Sequence, residues 1–217
     1  FGRGVVQVSA YVDQWLASFL IGGAVAVLGY AQVVAMLPVS LFGMAIAASE
    51  LPAMSSAVGT GDAVSSEIRG RLDQGLARIA FYIVPSAAAF VLLGDVIAGA
   101  LYQNGQFARE STLWVSGVLC GSAVGLLAGT MGRLYSSAWY AQRDPVTPLK
   151  FAMIRVGLTL GLGYVAALQL PHWLGISPKW GVAGLTASAG ISGWVEFWLL
   201  RRSMNARIGA PGVPLKR

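Results

Sequence analysis

Among the charged side chains that stand inside apolar stretches, Asp13, Glu50, Arg155 and Glu196 are where this sequence could do chemistry. A charge in hydrocarbon costs several kcal/mol unless it faces a partner or a wet cavity. Asp13 is the clearest case, because Gln7, Tyr11, Gln14 and Ser18 form a polar stripe beside it at helical spacing. That stripe reads either as a water-filled or ion-binding face or as the setting of a structural, hydrogen-bonded carboxylate. Glu50 and Glu196 lie about a turn from the ends of their spans, and Arg201 and Arg202 beside Glu196 suggest a snorkelling interfacial pair. Arg155, one turn into its span, is placed to snorkel likewise or to attract an anionic headgroup.

Covalent chemistry has little to work with. The single histidine, His172, sits between Pro171 and Trp173 in an expected loop, where an interfacial polar role is the simpler reading. The single cysteine, Cys120, excludes an internal disulfide and a cysteine-based metal cluster, and reads as a small apolar residue packed inside a helix. No HExxH, Walker A or Gly-x-Ser-x-Gly element occurs, so the chain is not read as an enzyme.

The elements that must position these residues are membrane helices. Of 217 residues 56% are hydrophobic and 11% charged, with a mean hydropathy of +0.66, whereas a soluble domain carries roughly 25% charged residues. The apolar residues fall in recurrent stretches of spanning length separated by polar or Pro/Gly breaks, which predicts an all-α polytopic bundle of about six transmembrane helices. The spans read as Gly4 to Ile21, Ala24 to Ala53, Ala77 to Leu101, Thr112 to Trp139, Ala152 to Leu170 and Gly181 to Leu200. Pro38 predicts a kink near Leu37 in the second span. Between the second and third spans, residues 55–78 carry Asp62, Glu67, Arg69, Arg71 and Asp73, with Ile68, Leu72 and Leu76 recurring at four; this predicts a cytoplasmic amphipathic connecting helix. Asn104-Gly105, Asp144 with Pro145 and Pro148, and Pro171 to Pro178 read as turns or loops. The chain opens at Phe1 with no initiator Met and no signal-peptide pattern, so residues 1–217 are expected to be one helical bundle cut from a longer transporter.

Threading the spans sorts the charges. Arg3, Arg69, Arg71, Arg78, Arg133, Arg143, Lys150, Arg155, Arg201, Arg202, Arg207, Lys216 and Arg217 collect on one face, and Arg109 and Lys179 on the other. By the positive-inside rule the first face is cytoplasmic, which requires an even number of crossings. This bias accounts for the net charge of +6, and no basic soluble patch for nucleic acid is present. Trp139, Tyr140, Trp173, Trp180 and Trp198 are expected at the interfaces as an aromatic belt. Gly117, Gly121, Gly125 and Gly129 predict a bare-backbone groove on the fourth span, with shorter versions at Gly157 and Gly161 and at Gly184, Ser188 and Ser192. These faces suit tight static packing or the sliding surfaces of a transporter.

Several runs resemble one family. Asp13 to Leu20 (DQWLASFL), Gly29 to Gln32 (GYAQ), Leu37 to Ile46 (LPVSLFGMAI), Leu51-Pro52 and Ser55, then Leu101 to Phe107 (LYQNGQF) and Tyr140 to Pro148 (YAQRDPVTP) followed by Leu149-Lys150, are similar in order and separation to the MurJ/MviN lipid II flippases. The resemblance implies helices seven to twelve of a fourteen-helix transporter of the MOP superfamily, in the bacterial inner membrane. It implies a lipid-linked anionic glycan as substrate, the undecaprenyl-diphosphate peptidoglycan precursor, moved from inner to outer leaflet by alternating access without covalent chemistry. Membrane lipids and the remaining half of its own chain would be its partners. On this basis Asp13, Gln14, Gln32, Ser40 and Arg155 are the substrate-cavity candidates, and no cofactor is expected. The family's sodium ion, bound between helices seven, eleven and twelve, would fall at Asp13, with no acidic partner in the fifth span.

One departure bears on substrate. Where the family reads Tyr-Ala-Asp-Arg-Leu, this chain reads Tyr30-Ala31-Gln32-Val33-Val34, so Val33 replaces the cavity arginine, and Met36 stands where an acidic residue is common. The readings that remain are a lipid II flippase, a divergent member moving another lipid-linked glycan, and a non-transporting membrane scaffold in cell-wall synthesis.

Overall fold

The computed structural model describes residues 11–55, 62–103 and 108–208, and these contain helices and turns with no strand. Helix α1, residues 11–18, leads through Gly23 in the left-handed region (φ 91°) into α2, Ala24–Pro38. Pro38 has no N–H to give, and the backbone after it widens into a π-helix, Val39–Met44, before α3, Ala45–Ser55. The Ser40 hydroxyl donates to the carbonyls of Met36 at 2.8 Å and Leu37 at 3.1 Å in this distorted turn. The irregularity expected near Leu37 is therefore a π turn within one apolar run, Ala24–Ser55.

The segment 55–78 differs from the reading above. It is not a separate surface helix but runs on, from Asp62, into the third span as α4, Asp62–Leu92. The physical reason lies in the stripe itself: Ile68, Leu72, Ile79 and Ile83 are all buried and keep one helical register past Arg78. The break comes later, at Leu93, where Gly94 opens α5, Gly94–Tyr102. A Cβ on Gly94 would lie 3.0 Å from the Ser116 hydroxyl, so the chain turns where a bare backbone can approach α6, Arg109–Ala141.

Beyond α6 come α7, Val146–Tyr164, a second π-helix, Val165–Gln169, the short α8, Leu170–Leu174, and α9, Gly181–Ile208. Among the described residues four runs are long and apolar enough to cross a membrane: Ala24–Ser55, Ser65–Leu92, Arg109–Ala141 and Val146–Leu174. The first and last of the six expected spans are not among them. For the first, residues 1–10 lie outside the described residues, as do Asn104 and Gly105. The last, α9, has 28 residues, long enough to span, but dilutes its apolar content with glycine, serine and Glu196, Arg201, Arg202 and Arg207.

The helix directions alternate. Gly75 and Gly94 of α4 and α5 back onto Leu134 and Ser116 of α6, which makes the pair antiparallel, whereas Gly23 and Gly43 meet Trp114 and Thr130, which makes α2–α3 parallel to α6. Gly163 of α7 meets both Leu16 and Leu185, and Gly181 abuts the carbonyl of Ala167, so α7 runs with α1 and against α9. Arg71, Arg78, Arg143, Lys150 and Arg201 then share one end of the bundle, and Lys179 pairs with Glu110 at the other. The basic end is cytoplasmic.

α6 is the central helix and α9 its main partner. Three side chains donate across the seam to backbone carbonyls: Trp114 Nε1 to Lys179 O at 2.6 Å, Thr186 Oγ1 to Val118 O at 3.2 Å, and Trp194 Nε1 to Val124 O at 2.8 Å. The glycine stripe makes this approach possible. A Cβ on Gly117 or Gly121 would collide with Trp180 or Thr186, and one on Gly125 would lie 2.5 Å from the Cα of Gly190. Of the two shorter stripes, the one on α9 packs, with Gly184 against the carbonyl of Ala166 and Ser188 and Ser192 buried, and the one on α7 does not. Gly157 and Gly161 have nothing within 4 Å, because the buried face of α7 is the one carrying Pro148, Ala152, Thr159 and Gly163. Trp139, expected in the aromatic belt, is buried instead, with the Arg207 guanidinium 5.1 Å from its ring centre.

Candidate functional site

A cavity of about 710 Å³ opens between α1, α2, α6, α7 and α9. One face of each long helix supplies its wall at helical spacing: Gly29, Gln32, Val33 and Met36 from α2; Ser122, Gly125, Gly129 and Arg133 from α6; Thr186, Gly190 and Gly193 from α9. Asp13 of α1 and Arg155 of α7 complete it. The glycines create the space. Gly29 and Gly129 have nothing within 4 Å of a notional Cβ, so the stripe that clamps α6 to α9 at Gly125 opens into the cavity one turn further on.

Of the five residues expected in a cavity, the structure brings three together, Asp13, Gln32 and Arg155. Gln14 is exposed on another face of α1, and Ser40 is exposed with its hydroxyl spent on backbone carbonyls.

Arg155 donates to Glu196 Oε2 at 3.0 Å, bridging α7 and α9. Glu196 is thus paired across the bundle and not with Arg201 or Arg202, because it projects inward while Arg202 lies over the Trp198 ring, 5.2 Å from its centre, at the exposed surface. Asp13 Oδ1 and Arg155 Nε are buried without a hydrogen-bond partner, so the cavity holds polar capacity that the described residues leave unused. Glu50, by contrast, is buried at the cytoplasmic end and held by Arg78 at 3.3 Å and Arg71 at 3.8 Å, outside the cavity lining.

Arg133 was assigned above to the cytoplasmic face with Arg155; both line the cavity instead. A signal for Arg133 was present in the sequence. It stands four residues beyond Gly129, the next step on the stripe Gly117, Gly121, Gly125, Gly129. The stripe's last member and its successor face space where the earlier members face α9, because α2 and α7 stand off from α6 there.

Asp13, the expected place of the sodium ion, is the one carboxylate of the cavity wall and shares that wall with the guanidinium of Arg155.

The sequence model of a family described as "Lipid II flippase MurJ" matches residues 1–214. The chain belongs to that family. It is similar to the "Lipid II flippase MurJ" of Burkholderia cenocepacia, 30% identical over 95% of this chain and 38% of that protein. It is also similar to the "Probable lipid II flippase MurJ" of Rhizobium meliloti, 28% identical over 91% of this chain and 34% of that one. The chain thus spans little more than a third of the length of these curated relatives. In fold it is similar to a solved structure named "Lipid II flippase MurJ, inward closed conformation", with a TM-score of 0.81, 22% identity, and coverage of 96% of this chain and 43% of that chain. Membership of the MurJ family and four spanning-length apolar runs make this a multi-pass inner-membrane protein built as an all-α bundle.

Proposed function

We propose that this chain is part of a lipid II flippase, which moves an undecaprenyl-diphosphate-linked peptidoglycan precursor from the inner to the outer leaflet by alternating access. The observation that supports this most is the cavity itself: an open space between the helices of a membrane bundle of the MurJ family, lined by two arginines that hydrocarbon would not tolerate without a polar content. The relatives carry the name flippase, and translocation of this kind needs no bond to be made or broken. Its requirements are an anion-tolerant cavity, walls that move as rigid bodies, and a driving force. The α6–α9 seam suits a rigid wall, and the opposite wall would come from the remaining half of a relative-length protein. With the cytoplasm negative, outward movement of an anionic headgroup is favoured by about 2.3 kcal/mol per charge per 100 mV.

Depletion of the full-length protein in its host tests this reading. Lipid II should accumulate in the inner leaflet and become inaccessible to a membrane-impermeant lipid II-binding peptide added outside; unchanged accessibility would rule the proposal out. A second reading, a non-transporting scaffold, is favoured by Val33 in place of the family's cavity arginine. The two part on one result, since a scaffold would leave lipid II export intact when Arg155 is replaced while still failing on complete depletion.

A further inference from the structure

We infer that Arg155 is an exchange residue: it passes between Glu196 of α9, its partner in this structure, and Asp13 of α1, and so ties α7 to either wall of the cavity. The inference goes beyond the flippase reading above, since it concerns how the walls are held and assigns these residues no contact with the transported lipid.

Helix register puts both carboxylates within reach of one guanidinium. Gly163 of α7 backs onto Leu16 of α1 and Ser188 of α9, which fixes the three helices against one another in height. Counted from there toward the cytoplasm at about 1.5 Å per residue, Asp13 lies about 4.5 Å down, and Arg155 and Glu196 each about 12 Å. Arg155 and Glu196 are thus level, as their 3.0 Å contact requires. Asp13 stands about 7–8 Å further out, within the length of an extended arginine side chain. Asp13 and Arg155 line the same space, and the charge of Arg155 acts on Asp13. From α6, Arg133 faces this space and feels the charges of both Arg155 and Glu196, and α2 contributes Gln32 and no charge.

The arrangement in this structure leaves matching groups unmet. Asp13 Oδ1 and Arg155 Nε are both buried without a hydrogen-bond partner, one an acceptor and the other a donor on the same wall. Thr159 Oγ1 is buried and unpartnered too, one turn outward of Arg155 and about level with Asp13, so unpartnered atoms mark the path from the guanidinium to the carboxylate. Each unmade contact costs free energy, and a donor and an acceptor facing one space have a second arrangement in which they meet. Moving Arg155 outward to Asp13 satisfies both and gives up the Glu196 contact, so each arrangement holds one ion pair and neither dominates by charge pairing alone. Glu196 is not stranded by the move, because the Arg133 guanidinium acts on it from α6. The α6–α9 seam, closed by Gly125 against Gly190, stays fixed, and α1 and α7 are the elements that shift.

In purified full-length protein with its cysteines replaced, spin labels at Gln14 of α1 and Leu160 of α7, both exposed, read the α1–α7 distance by pulsed dipolar resonance. The unmodified protein should give two distances, the longer belonging to the Glu196-bound arrangement. Glu196→Gln should raise the ratio of short to long roughly 10- to 100-fold, the scale of one charge-assisted contact. Asp13→Asn should leave the long distance alone, and Asp13→Glu should keep both. The exchanged pair Arg155→Glu with Glu196→Arg should regain much of the thermal midpoint yet show only the long distance, because a glutamate at 155 repels Asp13. Should Glu196→Gln fail to fold, as judged by its thermal midpoint, the two Asp13 variants carry the test. Identical distances in the unmodified protein, Glu196→Gln and Asp13→Asn would overturn the exchange and leave a static α7–α9 pair. Replacing sodium by choline should change nothing; a shift that Asp13→Asn abolishes would make Asp13 an ion ligand and overturn Arg155 as its partner. These distances are read without lipid II, so the flippase reading stands or falls separately, on lipid II accessibility after depletion.

Discussion

Arg155 of α7 and Glu196 of α9 meet at 3.0 Å inside the bundle, with 25% and 13% of their side chains exposed, and are the ion pair that joins these two helices across the cavity wall. Removing one partner of a buried pair leaves the other charge uncompensated, which costs about 3–5 kcal/mol when burial is complete and less with partial access to solvent. Glu196→Ala should therefore lower stability by roughly 1–3 kcal/mol. The exchanged pair Arg155→Glu with Glu196→Arg should restore part of the loss. A thermal-unfolding cycle in detergent reads the coupling, and additive single effects would show that the contact contributes nothing.

Gly125 and Gly129 are one turn apart on α6 and should respond in opposite ways to the same substitution. A Cβ on Gly125 would sit 2.5 Å from Gly190 Cα, with only backbone to give way, so Gly125→Ala should cost about 1–3 kcal/mol. At Gly129 a Cβ meets nothing within 4 Å, and Gly129→Ala should be neutral or stabilising by up to about 1 kcal/mol from helix propensity. Gly129→Leu should fill the cavity and abolish transport in a protein of unaltered thermal midpoint.

Asp144 caps α7. Its carboxylate accepts from the backbone N–H groups of Val146 at 3.1 Å and Thr147 at 3.2 Å, from the Thr147 hydroxyl at 3.0 Å and from Arg207 at 3.1 Å. These partners, the Thr147 N–H foremost, hold the carboxyl below the usual carboxylate range. A depressed folded-state value means that the stabilisation is present above the unfolded carboxylate pKa and is lost as pH falls through the lower folded value. Asp144→Ala should cost about 1 kcal/mol near neutral pH, and the gap from the unmodified protein should close in acid. A gap independent of pH would assign the loss to packing.

Glu50 is 7% exposed and is held by Arg78 and Arg71, which ties α3 to α4 at the cytoplasmic end. Glu50→Gln should destabilise this corner without touching the cavity, so diphosphate binding should persist in a protein with a lower thermal midpoint. Loss of binding with an unchanged midpoint would contradict the separation of the two sites.

Composition, periodicity and the placement of lysine and arginine were enough to establish a membrane bundle of helices with a basic cytoplasmic end, because the cost of exposing backbone and charge to hydrocarbon acts on each segment alone. Pro38 marked the irregular turn for the same local reason, and Asp13 and Arg155 stood out as charges in apolar runs. What depended on neighbours was decided by tertiary structure. The stripe Gly117 to Gly129 is uniform in sequence, yet its first three members clamp α9 or its leading turn and the fourth opens a cavity. Glu196 has two arginines further along its own helix, Arg201 and Arg202, and pairs with a third on another helix. Arg133 reads as one more cytoplasmic cation until α2, α7 and α9 are set around the open space in front of it. In each case the outcome turns on which way a helix is rotated against its partners, a property of packed pairs that no single segment encodes.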